Sequence, residues 1–511
     1  MSTSIDSSAI GSAGLVDLET QVNSVKALIE TTEGNIARLT TQINELTCLR
    51  AEECRVVARL RALIAPIGRL PTELLVEIFM MVVETPIFNS SAIRVVRESL
   101  YSADSSAALG KVLCLSQVSP HWRQIICGTP RLWGEGVISV PLNRGIKERD
   151  NALFIRSTPC PISVSLTYSA NEDTKSSKAT ARLVMSTAQR WKNLDIDLPS
   201  FSDFDDFPPD IFDALERLHV NNLSKQTSPI VIFHSSPRLR QFGFTTACAK
   251  PSKIALFHLP WEQLTHLTVR DRSLRGCRTI LLLCSNLISA QFDTTFEWDQ
   301  TPETMPIVTL PFLKTFSISI WDFIGDPVHN HGVEAFFAVL AFPSLVTLDL
   351  TFDSEADVMG PREIFSEFLR RSPKIKEFSL IDDCWFDSEG LIVLLRLTPA
   401  LTKLSIEARS QCLNTEFLEA LRYDNADASP LTPSLQVLSL ETDGRVDEPS
   451  FEAVIRSRWW SDDKGFLPSG SPKRVSRLKR AEISTPNSFS KEFNARMEDL
   501  EDEGLELLLF G

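Results

Sequence analysis

The sequence predicts an α/β chain in three parts: a long N-terminal helix or coiled coil, a small helical module, and an array of strand-and-helix repeats. Three observations carry this reading. Apolar residues recur with a period of 3.5 from Leu15 to Ile64. Short amphipathic segments follow between Pro66 and Trp133. From Trp191 on, the pattern apolar-x-x-apolar-x-apolar returns every 23 to 34 residues. A chain of 511 residues exceeds what one core supports, so several domains or an elongated array are expected.

Residues 1–14 are rich in Ser, Ala and Gly and are expected to be disordered. Residues 15–65 hold the stripe: Leu15, Leu18, Val22, Val25, Ile29, Thr32, Ile36, Leu39, Ile43, Leu46, Arg50, Glu53, Val57, Leu60 and Ile64. Twelve of these fifteen positions are apolar, which suits a coiled coil or a long docked helix. Two outcomes fit it equally. One is a homodimer through residues 15–64; the other is a helix folded back on its own domain. Pro66 ends the helix, because proline has no N–H and clashes with the preceding turn.

Segment 66–135 reads as the small helical module. Leu70-Pro71 ends an extended approach, and Pro71 sits where a helix starts without losing a bonded N–H. Glu73 favours the positive helix end. Leu74, Leu75, Ile78, Phe79 and Val82 follow at helical spacing. A second helix is expected over Lys111–Cys127, with Leu115, Val118, Trp122 and Ile126 on one side. Thr129-Pro130-Arg131-Leu132-Trp133 closes the segment. Leu-Pro-x-Glu-Leu-Leu, then Val-Ser-x-x-Trp-Arg, then Thr-Pro-x-Leu-Trp resembles the fungal F-box-like domain, a helical module that docks on the adaptor Skp1. The polar, Ser-rich insertion 84–110 departs from the compact form of that module. The resemblance implies a Skp1-binding set of Leu70, Pro71, Glu73, Leu74, Ile78, Phe79, Val118, Trp122, Leu132 and Trp133.

Residues 136–190 are expected to form a connector or cap. It holds a short helix over Asn151–Thr158, a strand over Pro161–Tyr168 and a helix over Ala179–Arg190. The repeats then occupy 191–485. Copies begin at Trp191, Leu215, Leu239, Leu264, Leu287, Leu313, Leu345, Ile375, Leu401 and Leu435, with a weaker one at Leu478. Proline stands two residues before the first apolar position at Pro237, Pro311, Pro343, Pro373, Pro399 and Pro433. There it stops a helix and sets an extended entry. The array resembles a leucine-rich-repeat solenoid, which implies one strand per repeat in a curved parallel sheet with helices outside. It departs from that family at the ninth position. Leu223, Ala247, Arg272, Thr295, Trp321, Asp353, Asp383, Arg409 and Asp443 replace the usual Asn or Cys, so irregular turns are expected. Trp459-Trp460 should pack on the last repeat, and residues 486–511 should cap the array with an acidic helix over Phe493–Phe510.

The net charge of −14 argues against broad nucleic-acid binding, which needs basic surface. No run approaches the roughly 18 to 20 apolar residues of a membrane helix, and the start lacks the features of a secretory signal. Ten cysteines without a Cys-x-x-Cys pair read as reduced, mostly buried thiols of cytoplasm or nucleus. Gly-x-Gly-x-x-Gly, Gly-Lys-Ser/Thr and Gly-x-Ser-x-Gly are all missing, so no catalytic residue, cofactor or resident metal is expected. His329-Asn330-His331 beside Asp326 reads as a surface loop. So does the run Asp203, Asp205, Asp206 and Asp210 among Phe201, Phe204 and Phe207. The basic run Pro472–Arg480 reads as solvated positions around a final strand rather than an import signal.

A repeat array binds over a broad face. The third, fifth and seventh positions of each copy alternate outward. They offer Asp195, Arg217, His266, Arg270, Asp293, Asp349, Glu377 and Lys403 as a substrate face, with Asp197, His219, Glu407 and Glu441 beside them. Acidic residues outnumber Lys and Arg there by seven to three, which suits a protein partner with a basic segment. The expected role is a non-enzymatic adaptor that joins a target protein, through Skp1 and a cullin, to a ubiquitin ligase. The other reading is a scaffold without a ligase link, dimerised by the coiled coil.

Overall fold

The computed structural model describes residues 8–64, 66–84, 103–168, 177–208, 210–245, 253–270, 273–295, 306–321, 330–353, 362–382, 386–409, 411–424, 429–460 and 475–511. The chain divides into two compact units, Met1–Met81 and Val82–Gly511. The first unit holds α1 (Ser8–Ile64), a 3-10 turn at Pro66–Arg69, and most of α2 (Thr72–Glu84). α1 begins at Ser8, so residues 8–14 are its first turns rather than a disordered lead. Once a helix is nucleated each added residue gains a bond, and no proline stands before Pro66 to stop it. At 1.5 Å per residue its 57 residues span about 85 Å. Its apolar stripe is not buried: Val25, Ile29, Ile36, Leu39, Ile43, Leu46, Val57 and Leu60 are 44–65% exposed.

The second unit opens with α3 (Ala103–Val118), α4 (Pro120–Cys127) and α5 (Pro130–Gly134). The single helix expected over 111–127 is therefore two. Pro120 cannot donate into α3, and Ser119 caps α4 by accepting the Trp122 N–H at 3.1 Å. α3 also begins inside the expected insertion; residues 85–102 of that insertion lie outside the described residues.

The strands follow. They are β1 (Val137–Pro141), β2 (Ile162–Thr167), β3 (Trp191–Asp197), β4 (Arg217–Asn221), β5 (Gln241–Thr245), β6 (His266–Arg270) and β7 (Ser289–Thr295). Next come β8 (Val308–Thr309), β9 (Thr315–Trp321), β10 (Leu340–Ala341), β11 (Thr347–Asp353), β12 (Glu377–Asp382), β13 (Lys403–Ala408), β14 (Val437–Thr442), β15 (Arg480–Ser484) and β16 (Glu506–Phe510). All but β8 and β10, which pair with each other, form one parallel sheet of fourteen strands in chain order. Helices fill the returns: α6 (Glu148–Arg156), α7 (Ser177–Met185), α8 (Leu274–Leu283), α9 (Asn330–Ala338), α10 (Arg362–Arg370), α11 (Ser388–Arg396), α12 (Thr415–Leu421), α13 (Glu448–Arg458) and α14 (Lys491–Asp502). This is a leucine-rich-repeat-like solenoid with one strand per repeat.

The repeat pattern is the packing pattern. All eleven first-position residues, from Trp191 to Leu478, are at most 1% exposed. The fourth positions form one aligned buried row that runs Leu194, Leu218, Phe242, Leu267, Ala290, Phe316, Leu348, Phe378, Leu404, Leu438 and Ala481. Second positions join successive repeats through the backbone. Each N–H donates to the second-position carbonyl of the preceding repeat at 2.7–2.9 Å, from Glu216 on Lys192 to Lys479 on Gln436.

Two boundaries differ from the sequence reading. The connector 136–190 is part of the array, because β1 and β2 extend the same sheet. At the other end the expected helix over Phe493–Phe510 stops at Asp502, and Gly504 turns at φ +99° into β16, which pairs with β15. Counted back from the aligned buried row, the first positions of β1 and β16 are Glu135 and Gly504, while in β2 a one-residue register shift sets the buried Ile162 opposite Trp191. β1 and β16 lack the leading apolar residue and β2 carries it one position late, so the pattern misses all three.

Phenylalanine rings from successive returns pack against one another. Ring centroids lie 4.4 Å apart for Phe337 and Phe365, and 5.3 Å for Phe365 and Phe386. Beside them the buried Asp382 Oδ2 accepts the Phe386 N–H at 2.9 Å. The expectation of mostly buried thiols is also corrected. Of eight described cysteines, Cys277, Cys284 and Cys412 are buried, Cys160 is half-buried, and Cys48, Cys54, Cys114 and Cys127 are exposed. Burial pushes the Cys284 thiol up to about 12.

α13 and α14 are clamped by Glu452, whose carboxylate accepts from Arg456 Nε and Arg496 Nε, each at 2.7 Å. Burial alone would raise the Glu452 carboxyl. The two guanidinium bonds outweigh burial and hold it below the usual range. A depressed carboxyl pKa stabilises the fold above the unfolded value, and the gain is lost as pH falls through the folded one. Glu452→Gln should therefore lower stability by about 1–2 kcal/mol at neutral pH. In acid melts, the gap to wild type should begin to narrow as pH falls below 4.5 and close once pH passes below the lowered value of the folded carboxyl.

Candidate functional site

Two surfaces hold the residues singled out from the sequence. The first is on α2. Leu70 is half-buried, while Pro71 and Glu73 are exposed. Leu74 is 52% exposed, Ile78 36% and Met81 66%, a spacing of i, i+4 and i+7 that lays them along one helix face. Phe79, on another side, is buried together with Leu75 and Met80. The sequence reading missed Met81, although the same spacing extends to it.

The other residues of that set lie in the second unit. Val118 is exposed near the end of α3, as is Leu113, and Trp122 is half-buried on α4. Leu132 and Trp133 are buried. Trp133 Nε1 donates to Ile126 O at 2.8 Å, and the Arg156 guanidinium stands 4.9 Å above its ring. Trp133 thus ties α4, α5 and α6 together and supports a surface rather than forming one.

The second surface is the open face of the sheet, opposite the helices. Registers align Asn193, Arg217, Gln241 and His266 in one row, and Asp195, His219, Gly243 and Thr268 in the next. The third row runs Asp197, Asn221, Thr245, Arg270 and Asp293. Asp349, Glu377 and Lys403 continue these rows on β11, β12 and β13. With Glu482, Glu506 and Arg480 from the last two strands, acidic residues outnumber Lys and Arg on this face by nine to four.

The face is partly self-neutralised. Arg270 Nε donates to Asp293 Oδ2 at 2.7 Å, and Arg217 Nε donates to Gln241 Oε1 at 2.7 Å. Arg480 reaches Glu482 at 3.2 Å and Glu506 at 2.9 Å. Asp195 Oδ1 lies 3.1 Å from His219 Nδ1 and accepts from Asn221 Nδ2 at 3.3 Å. Burial, and then the Arg217 charge, lowers the His266 pKa, so its imidazole is neutral at neutral pH.

His219 points the Cδ2 edge of its ring at Gly243: a Cβ there would meet His219 Cδ2 at 2.1 Å. Gly243→Ala should swing the imidazole aside and break its approach to Asp195. The check is the His219 ring resonance by NMR, which should move while the protein stays folded.

At the carboxyl ends of β13, β14 and β15 an open cleft of about 510 Å³ is lined by Glu407, Arg409, Glu441, Thr442, Asp443 and Ser484, among others. Thr442 Oγ1 is buried there with no hydrogen-bond partner. Sequence reading placed Arg409 and Asp443 as turn residues and had no signal for a cleft, since three strands meet only in the fold. Phe201 and Phe204 of the Asp-rich run are buried, and Asp206 lies 3.9 Å from Arg182. Among the described residues no group of three or more His, Cys, Asp or Glu is placed to hold a metal ion. Asp326 and His329 lie outside the described residues. The basic run is partly structural: Arg477 stacks on the Trp459 ring at 3.9 Å. Among the described residues, no helix is long and apolar enough to cross a membrane.

No family model and no curated protein matches the sequence. Among solved structures, a chain in the crystal structure of the Rad7 and Elc1 complex in yeast is 13% identical, with a TM-score of 0.33. That match covers 85% of this chain and 95% of the other. A chain of the TLR13–ssRNA13 complex is also 13% identical, over 74% of this chain and 64% of the other, with a TM-score of 0.29. At those TM-scores neither likeness bears on the role of any residue here.

Proposed function

We propose that this chain is a non-catalytic substrate adaptor. α2 engages a Skp1-type adaptor, and the open sheet face holds a target protein for ubiquitin transfer by a cullin-based ligase. The observation that carries the reading is the exposed stripe Leu74, Ile78 and Met81 directly after Leu70-Pro71. A helix folded for its own domain alone would turn such a stripe inward, and an exposed apolar face on a short helix suits a partner's hydrophobic groove. Phe79 holds α2 from its buried side, and Leu132 and Trp133 hold the second set of helices.

The repeats contribute area rather than chemistry. Three rows of mostly polar side chains on fourteen strands give a surface that accepts an extended partner, and the acidic excess favours one with a basic segment. The mechanism is proximity: tethering the target near a ubiquitin-loaded enzyme raises its effective concentration, with no reacting group from this chain.

The test is direct. Purified full-length protein mixed with Skp1 should co-elute as one complex on size exclusion. Separate elution of the two at micromolar concentration would overturn the reading.

A further inference from the structure

We infer that α1 pairs with α1 of a second copy of this chain as a parallel, in-register, two-stranded coiled coil. The heptad register decides this. The described a positions are Ile29, Ile36, Ile43, Arg50 and Val57, and the d positions are Val25, Thr32, Leu39, Leu46, Glu53 and Leu60. β-branched residues at a with leucine at half of these d sites favour two parallel strands, because each side chain then fits the hole between four residues of the facing helix. The apolar members from Val25 to Leu60 are exposed, so this part of the seam is open to a partner of the same period.

The polar layers select a second copy and set its direction. Thr32 Oγ1 donates to Leu28 O at 2.7 Å within its own helix, so its hydroxyl is satisfied and only its methyl needs a place in the seam. Thr40 and Thr47, which flank the seam at e, bond back in the same way at 2.8 and 2.6 Å. In the parallel pairing Arg50 and Glu53 form adjacent layers, about 4.5 Å apart along the axis, and Arg50 of each copy reaches Glu53 of the other. An antiparallel pairing over the full helix instead sets Arg50 against Val25 and Thr32 against Ile43, which buries a charge without a partner. The antiparallel register that matches Arg50 with Glu53 overlaps only from Leu39 onward and leaves Val25, Ile29 and Ile36 uncovered. Flanking contacts agree with the parallel form. Leu28, Leu49 and Val56 at g meet Glu33, Cys54 and Arg61 at e of the other helix, and none of the flanking g–e pairs opposes like charges.

The consequence is bivalence. Two sheet faces in one particle would hold a multivalent target far longer than either alone. This inference stands apart from the Skp1 reading, since it rests on α1 alone.

Light scattering of the full-length protein at 5–50 µM tests it. The expected mass is twice the 57.2 kDa of the chain. Ile36→Asp/Ile43→Asp should return it to a single chain while the repeats keep their thermal melt. In a Cys48→Ser/Cys54→Ser background, Leu39→Cys should cross-link the dimer under mild oxidation, because a d residue faces its own copy only in the parallel register. The same background without Leu39→Cys is the control. A monomeric wild type, a trimer or larger species, a dimer that survives the double aspartate, or a dimer in which Leu39→Cys adds no cross-link would each overturn the proposal.

Discussion

Leu74→Asp/Ile78→Asp is expected to abolish Skp1 capture while leaving the fold intact. Both side chains are well exposed on α2, so aspartate there costs the free protein little. In a complex they would be central apolar anchors, each worth about 1.5–3 kcal/mol when buried, and a charge in their place has no partner. The affinity should fall at least about a hundredfold, which corresponds to about 2.7 kcal/mol. Phe79→Ala and Trp133→Ala make the contrast. Both side chains are buried, and Trp133 also bonds Ile126 O, so these variants should lose about 3–5 kcal/mol of stability. Titration calorimetry beside a thermal melt separates the two classes. Unchanged Skp1 binding by the double aspartate would remove α2 as the contact.

The second large effect is at Arg458, an arginine with no exposed surface. Its guanidinium donates to Leu421 O at 2.8 Å, Thr432 O at 3.1 Å and Leu431 O at 2.5 Å. These carbonyls lie at the end of α12 and in the loop before β14, so one side chain joins α13 to the preceding repeat. Burial pulls its pKa down to about 10, yet it stays charged at neutral pH. Arg458→Met removes the cost of holding a charge in the core but strands three buried carbonyls. The second effect is the larger, and the expected net loss is about 3 kcal/mol. Arg458→Lys should not rescue it, because an ammonium lacks the planar fork that reaches all three acceptors. Repeats couple mainly to their neighbours, so the damage should be local. Hydrogen exchange should speed up in β14 and β15 while β3 to β6 keep their protection.

Neither effect is equally legible in the chain. Arg458 sits in Ile455-Arg456-Ser457-Arg458, where two arginines two residues apart look alike. Arg456 ends on the surface at Glu452 and Arg458 at 0% exposure, a difference set by which helix face meets α12 and its loop. The α2 stripe was largely readable, because helical spacing places Leu74 and Ile78 together whatever surrounds them. Which side of α2 stays exposed was not readable, and it moves Phe79 from contact to support. On the sheet face the positions were legible while the electrostatics were not. Arg270 meets Asp293 across β6 and β7, a pairing that depends on strand register.

By itself the sequence determined the repeat, its period, its buried rows and the seam of α1. Those features are local: side-chain direction follows from the periods 2, 3.5 and 3.6, and the apolar residues obey them. Only the tertiary structure decided where the array begins and ends. β1 and β16 lack the leading apolar residue, β2 has it out of step by one, and all three join the sheet because a neighbouring strand's N–H and C=O groups must be paired. It also decided which charges cancel, which arginine is swallowed by the core, and that three strand ends enclose a cleft. These depend on residues more than twenty positions apart meeting in space, and no local period encodes that meeting.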